Sequence, residues 1–150
     1  MVRFVGLTSH RRDTATAAVA SGLYDTIQFP LCTFSSDRDL ALIAECQAHD
    51  IGLIAMKALS GGLLTDAVLA FAFLRRFDNL VPIWGIQHES ELNQFLALER
   101  PPPPMDEAMW RSIERDRARN WAAPFAGVAA IACPAPQGFP YPWRPGCHYC

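Results

Sequence analysis

The sequence lacks any apolar segment long enough to cross a membrane. A membrane helix needs roughly 18 or more uninterrupted apolar residues, and the longest stretches here, such as Ala67 to Leu74, are much shorter. The N-terminal residues also lack the charged region, long apolar stretch and small-residue cleavage site of a secretory signal. We therefore expect a cytoplasmic protein without a membrane partner.

A charge excess of one sign is also lacking. The 13 Lys and Arg residues nearly balance the 15 Asp and Glu residues, which gives a formal net charge of -2, and the basic residues are scattered along the chain. Contacts with nucleic-acid phosphates require clustered Lys and Arg. The composition therefore argues against a nucleic-acid partner.

The five cysteines do not form a convincing disulfide framework, because their number is odd and no secretory signal is recognisable. Reduced thiols are expected. Cys147 and Cys150 have the spacing of metal ligands, but one such pair supplies only two of the four ligands of a closed structural zinc site. Unliganded thiols are the favoured interpretation, and metal binding is the alternative.

What the sequence does contain is a regular alternation of β-rich and helical segments. Its 150 residues, of which 51% are hydrophobic, are enough for one domain with a sizeable apolar core. β-rich segments recur about every 25 residues, which is the length of one βα unit in a parallel sheet. Four such units amount to half of an eight-stranded (βα)8 barrel, so the predicted fold class is α/β. The predicted strands are Val2 to Leu7, Thr26 to Leu31, Leu53 to Lys57 and Leu80 to Ile86.

Helices are predicted between and after these strands from apolar spacing and capping residues. Pro101 to Pro104 interrupt the pattern, because proline fixes φ and lacks an amide hydrogen. Beyond residue 120 the periodicity fails, which predicts an irregular Pro-rich tail. The predicted helices are Thr14 to Ser21 ending at Gly22, Ser36 to about His49 with Asp39 completing a capping box, Thr65 or Asp66 to Arg76, one starting near Ser90, and Asp106 to Arg119 with Met109, Trp110 and Ile113 as its docking face.

Four segments in order resemble the last four strands of the aldo/keto reductase barrel. Val5 to His10 resembles the fifth strand, and Tyr24 to Leu31 resembles the sixth. Gly52 to Gly62 resembles the seventh strand with its glycine loop, and Pro82 to Gly85 resembles the end of the eighth. The resemblance covers residues 1 to about 98 and implies the C-terminal half of such a barrel over residues 1–100. Residues 101–105 would be a linker before the last helix.

The resemblance implies a site for NADP or NAD at the C-terminal ends of these strands. Thr8, Ser9 and Gln28 would bind the nicotinamide carboxamide, and Met56 would pack against its ring. Backbone amides of the loop from Lys57 to Gly62 would bind the pyrophosphate, with charge from Lys57. The implied cofactor-binding residues are Thr8, Ser9, Gln28, Met56, Lys57, Leu59, Ser60, Gly61, Gly62, Gly85 and Ile86.

The adenosine end departs from the family pattern. Glu91 stands where relatives have a phosphate-binding Arg, and Phe95 stands where they have an Asn. A carboxylate repels a 2′-phosphate, so the resemblance does not decide between NADP and NAD.

The family's catalytic Asp, Tyr, Lys and His lie on the first four strands, and this chain resembles only the last four. No catalytic residue is assigned, because the proton donor to the developing alkoxide would be that missing Tyr. Tyr24 is placed at the other end of its strand and is interpreted as a packing residue. His10 could line the mouth of the barrel, or it could be a solvated loop residue.

The tail resembles a degenerate iron-sulfur segment of one branch of the family. Residues 125–138 align without a gap to a four-cysteine motif, with Ala126, Ala129, Ala132 and Ala135 at the ligand positions. Alanine cannot ligate iron, so no iron-sulfur cluster is expected. Chance similarity within an Ala/Pro-rich tail is the alternative.

Three functional hypotheses follow from these observations. The first is the cofactor half of an oxidoreductase, inactive as an isolated chain and completed by an N-terminal half-barrel on another polypeptide. The second is a binding module without chemistry, which is either a nucleotide-binding half-barrel or a scaffold formed when two copies close a barrel by pairing their exposed sheet edges. The third is a truncated fragment that keeps the sequence pattern but has no function.

Overall fold

The computed structural model describes residues 1–62 and 64–120 of the chain. Within these residues the four strands are β1 (Gly6–Thr8), β2 (Thr26–Pro30), β3 (Gly52–Met56) and β4 (Leu80–Pro82). The helices are α1 (Arg12–Ser21), α2 (Asp37–Ala48), α3 (Ala67–Arg75), α4 (Glu89–Leu98) and α5 (Glu107–Asn120), and a short 3-10 turn spans Ser60–Gly62.

The strands form one parallel sheet in the order β1-β2-β3-β4. Sequence order and spatial order are therefore the same, and a helix connects each strand to the next. The α/β class and the four parallel strands predicted from the sequence are confirmed. Gly6 allows β1 and β2 to pair closely, because a side chain at this position would collide with the Thr26 hydroxyl.

The helices cover one face of the sheet. Ile27, Phe29, Leu53, Ala55 and Leu80 are buried in the main core, where side chains of α1, α2 and α3 also lie. The residues between them point to the opposite face, as the two-residue period of a strand requires. On this second face, which we call the open face, Gln28 and Ile54 are only partly buried and Val81 is 63% exposed.

Local sequence chemistry sets several helix ends as predicted. The Ser36 hydroxyl accepts a hydrogen bond from the Asp39 amide at 3.2 Å, as predicted for a helix cap. The Asp39 carboxylate accepts from the Ser36 hydroxyl at 2.7 Å, whereas in the predicted capping box it would accept from the Ser36 amide. Asp66, rather than Thr65, caps α3 by accepting from the Leu69 amide at 2.9 Å. Gly22 ends α1 in the left-handed conformation, with φ 65.

The two outer strands are shorter than predicted. β1 lacks residues 2–5 of the predicted strand, and β4 lacks residues 83–86. These residues extend past their single neighbouring strand and therefore have few ladder partners. Trp84 also stacks on Phe95, with ring centroids 4.6 Å apart, which draws the chain after β4 toward α4. β3 ends before Lys57, because that residue adopts φ 57.

The last helix, α5, is docked on the main core. Ile113 is 1% exposed in the main core, and Met109 packs against that core, as predicted for the docking face. Arg117 donates to the carbonyls of Thr33 and Ser35 at 2.8 and 3.0 Å, which the sequence did not predict.

The guanidinium of Arg76 lies over three aromatic rings and joins α3 to α5. Its central carbon is 4.5 Å from the ring centroid of Phe73, 4.4 Å from that of Phe77 and 4.7 Å from that of Trp110. Residues 101–105 contain neither helix nor strand. The predicted irregular tail, its iron-sulfur-like segment, and Cys147 and Cys150 lie outside the described residues.

None of the helices in residues 1–62 and 64–120 has both the length and the apolar character that crossing a membrane requires.

Candidate functional site

The C-terminal ends of the strands form one edge of the sheet, which we call the rim. Thr8 pairs in register with Gln28 across β1 and β2. The Ser9 amide donates to the Gln28 carbonyl at 3.0 Å, and the Gln28 side-chain amide lies 3.7 Å from the sulfur of Met56 on β3. The fold therefore brings together four residues that the family resemblance placed around a nicotinamide ring.

The contact between Gln28 and Met56 fixes the direction of the Gln28 side chain. Met56 is 8% exposed, so its thioether is held by the surrounding protein. A thioether is a weak hydrogen-bond acceptor, and a stronger acceptor on a ligand could replace it at low cost. Gln28 is thus oriented along the rim, and no strong acceptor within the described residues competes for its side-chain amide there.

The loop after β3 adopts an unusual left-handed conformation. Lys57, Ser60, Gly61 and Gly62 have φ values of 57, 54, 68 and 91. Two of these residues are not glycine, and such residues at positive φ cost roughly 1 kcal/mol or more each. Backbone strain of this size is concentrated at functional sites, so the loop is a candidate ligand-binding element.

Hydrogen bonding within this loop narrows its predicted role. The Ser60 amide donates to the Lys57 carbonyl at 2.7 Å, and the Gly62 amide donates to the Leu59 carbonyl at 3.0 Å. These two amides are used by the loop itself. The candidates for binding a pyrophosphate are therefore the amides of Ala58, Leu59 and Gly61, together with the exposed Lys57 ammonium.

The side chain of Ser60 points into the protein. Ser60 is 3% exposed, and its hydroxyl lies 3.6 Å from the sulfur of the buried Cys32. The Ser35 hydroxyl accepts from the Cys32 amide at 3.0 Å in the same region. Sequence periodicity gave no signal for this buried polar group, because it joins two loops that lie far apart in the chain. Ser60 is consequently a support of the loop conformation, and its hydroxyl does not face the rim.

The segment after β4 contains the other predicted cofactor residues. Gly85 adopts φ 65, and Ile86 is 39% exposed. Beyond them, the Glu91 carboxylate accepts hydrogen bonds from the amides of Gln87 and His88 at 2.8 and 3.0 Å. These backbone bonds hold the pKa of Glu91 below its usual value. The start of α4 is thus occupied by the chain's own carboxylate.

Phe95 does not offer a polar group at this end of the site. It is 5% exposed and packs with Phe71 and Trp84 in a small aromatic cluster. Tyr24 packs against the main core at the N-terminal end of β2, as interpreted from the sequence, and His10 is exposed just after β1.

Comparisons with protein-family models, with curated proteins and with solved structures find no match to this chain. The relationship to aldo/keto reductases therefore stays a prediction that rests on the four sequence motifs.

Proposed function

We propose that this chain is the cofactor-binding half of an aldo/keto reductase-like (βα)8 barrel and that its rim binds NAD or NADP. The observation that carries the proposal is the joining of Thr8, Ser9, Gln28 and Met56 along three neighbouring strand ends. Ligand sites of parallel α/β proteins lie at this edge of the sheet, because the loops that follow the strands converge there.

The strand order and the placement of the helices favour half a barrel over an open doubly wound sheet. A doubly wound sheet reverses strand order at a switch point and has helices on both faces. Here the strand order is sequential, and the buried residues of the sheet pack with α1, α2 and α3 on one face. A closed barrel repeats this arrangement around an axis, with the open face turned inward.

The proposed cofactor pose gives each rim residue a chemical task. Thr8, Ser9 and Gln28 offer neutral donors and acceptors to the carboxamide, which would orient one face of the nicotinamide ring. Met56 offers a polarisable surface to the ring. Lys57 and the amides of Ala58, Leu59 and Gly61 would neutralise and bind the pyrophosphate.

Cofactor preference should be set by the segment after β4. Glu91 places a negative charge at the start of α4, where a 2′-phosphate would otherwise gain from the helix dipole. This arrangement favours NAD(H) over NADP(H) if the adenosine end lies beside α4, as the family resemblance implies.

The decisive experiment is a fluorescence titration of the purified chain with NADH and with NADPH. We expect saturable binding that Gln28→Ala weakens about tenfold, the effect of losing one or two hydrogen bonds of roughly 1 kcal/mol each. Gln47→Ala, which removes an exposed glutamine on α2, should leave the affinity unchanged. Absence of binding to either nucleotide, or equal effects of the two variants, would contradict the proposal.

Chemistry would need groups from outside this chain. The family's proton donor belongs to the half that this chain does not resemble, so we expect the isolated chain to bind cofactor without reducing carbonyl compounds. A scaffold or binding module is the second candidate, and the specific observation in its favour is that β1 and β4 each pair with only one strand among the described residues.

A further inference from the structure

Within the described residues, the two outer strands expose apolar side chains along both edges of the sheet, and the backbone groups on those edges have no neighbouring strand. Phe4 is 70% exposed beside β1, while Val81 in β4 and Ile83 just after it are 63% and 45% exposed. We infer that a second copy of this chain covers the open face by pairing its β1 with β4 of the first copy. Two such pairings would give a closed barrel of eight parallel strands, made from two half-barrels.

Symmetry makes a second copy a suitable occupant. A two-fold axis that runs along the strands keeps every strand of both copies parallel. Such an axis places β4 of each copy beside β1 of the other, so that both free edges are used and none remains. The two copies together supply eight strands. A barrel of eight strands encloses an interior that side chains can fill.

The direction of the free backbone groups fits this pairing. In a parallel strand, alternate residues direct both their amide and their carbonyl to the same side. Val5 and Ser9 bond toward β2, so Phe4, Gly6 and Thr8 face the free edge. The Ile83 amide bonds to the Ala55 carbonyl of β3, so Leu80, Pro82 and Trp84 face the other free edge. Pro82 has no amide hydrogen, and the Leu80 amide already donates to the Phe77 carbonyl at 3.4 Å. Within the described residues this edge therefore offers the Trp84 amide as a donor and the carbonyls of Leu80, Pro82 and Trp84 as acceptors.

The register of a closed barrel explains why the outer strands are short. Within one copy, Gly6 pairs with Thr26 and Thr26 pairs with Gly52. The next residue of β3, Leu53, pairs with Leu80. An eight-stranded barrel has a shear of about eight residues, about four of which arise in each half. A displacement of four residues can occur in either direction along the strands. One direction places Leu80 to Ile86 beside residues 3–9 of the second copy. The opposite direction would place α3 beside those residues, so the first direction is the one that allows strands to pair.

This register supplies the missing partners of the segments that were predicted as strands. Residues 2–5 and 83–86 lie outside β1 and β4 in the single chain. In the new ladder residues 2–5 lie beside residues 79–82 of the other copy, and residues 83–86 lie beside its residues 6–9. Val81 comes opposite Phe4 of the second copy, with both side chains on the open face. An even displacement is required for this match, because a shift of one residue would turn one of them to the other face.

The helix layer offers a further contact of the same kind. Leu92 and Leu96 of α4 are 43% and 59% exposed. In the closed barrel α4 lies next to α1 of the second copy, whose small residues Ala17 and Ala20 are exposed. The same copy that pairs with β4 therefore also covers the apolar side of α4.

The first test measures the mass of the full chain in solution by light scattering coupled to size exclusion. The expected mass is twice the chain mass of 16.6 kDa. Val81→Lys should weaken the dimer about 100-fold or more, because closure would bury two unpaired ammonium groups, each at a cost of several kcal/mol. Leu23→Lys, at a position 73% exposed in the loop after α1, should remain dimeric.

The second test works even if Val81→Lys fails to fold. The double variant Phe4→Cys with Val81→Cys should form a covalent dimer under mild oxidation, because neighbouring strands lie within disulfide range. Neither single variant should do so at that position, since each cysteine then faces a native residue. A monomeric native chain, or equal cross-linking by double and single variants, would overturn the inference. A monomer that still binds NADH would leave the proposed cofactor site standing.

Discussion

The Arg117 side chain donates a hydrogen bond to the Thr33 carbonyl at 2.8 Å, although 84 positions separate the two residues. A second nitrogen of the same guanidinium donates to the Ser35 carbonyl at 3.0 Å. Both carbonyls belong to the loop that follows β2. These two hydrogen bonds attach α5 to the loop after β2, so the helix stabilises the segment that contains Cys32 and Ser35.

Replacing Arg117 should therefore lower the stability of the domain. Arg117→Ala removes two charge-assisted hydrogen bonds and should lower the free energy of unfolding by about 2 kcal/mol, which already allows for the partial exposure of the side chain. Urea unfolding followed by circular dichroism measures the change. Arg111→Ala removes an exposed arginine of α5 that forms a salt bridge with Glu107 on the same helix, and we expect a change below about 0.5 kcal/mol. Equal losses in the two variants would contradict the role of Arg117.

The thiol of Cys46 should be inert in the folded protein. Burial, with a smaller contribution from Glu45, raises its pKa from 9.0 to about 11. The folded state thus prefers the neutral thiol, so the contribution of Cys46 to stability is constant below pH 9 and falls as the pH rises from 9 toward 11. Alkylation at pH 8 with peptide mapping should find Cys46 unlabelled until urea unfolds the chain. Cys46→Ala should reduce the loss of stability in alkali, and rapid labelling of native Cys46 would refute the prediction.

Glu91 should make the start of α4 sensitive to acid. Hydrogen bonds from the Gln87 and His88 amides lower the pKa of this carboxyl below 4.5. Its contribution to stability is therefore complete above pH 4.5 and is lost as the pH falls through the lowered value. Glu91→Gln should flatten the acid side of the stability profile by a small amount. Urea unfolding over an acid pH series measures the change, and a Glu91→Gln variant with the native profile would contradict the prediction.

A substitution in the strained loop after β3 should change stability and cofactor binding in opposite directions. Lys57→Gly relieves a positive φ, but glycine also has more conformational freedom in the unfolded chain, which offsets part of the gain. The free energy of unfolding should therefore rise by less than about 1 kcal/mol. It should weaken NADH binding several-fold, because a charge at the pyrophosphate is lost. Asp50→Gly relieves a similar φ of 56 at the turn between α2 and β3 and should leave the affinity unchanged. A Lys57→Gly variant with native affinity would exclude Lys57 from the site.

Features that depend on neighbouring residues were predictable from the sequence. Gly22 at the end of α1 and the Ser36 cap of α2 act within a few positions, so their sequence signals determine the local structure. The order of strands and helices follows from periods of two and 3.6 residues, which persist over whole elements. The family resemblance assigned Thr8, Gln28 and Met56 to the C-terminal ends of three strands, and parallel strands end at one edge of a sheet, so a shared rim could be predicted for them.

Features that depend on distant contacts could not be predicted. The ends of β1 and β4 are set by which strand lies beside them, and a single sequence does not specify that partner. The inward orientation of Ser60 results from its contact with Cys32, 28 positions away. In the sequence, Arg117 cannot be distinguished from Arg111 and Arg115 of the same helix. Its hydrogen bonds go to the loop after β2, which is distant in the chain.

The attachment of α5 also connects the two ends of the sheet. Trp110 contacts Arg76 at the C-terminal end of α3, whereas Arg117 donates to the loop that follows the C-terminal end of β2. The part of α5 near Arg117 therefore lies on the same side of the sheet as the proposed nucleotide site. A fluorescent label attached to the helix near Arg117 would be on the side of a bound nucleotide, where it could report on occupancy.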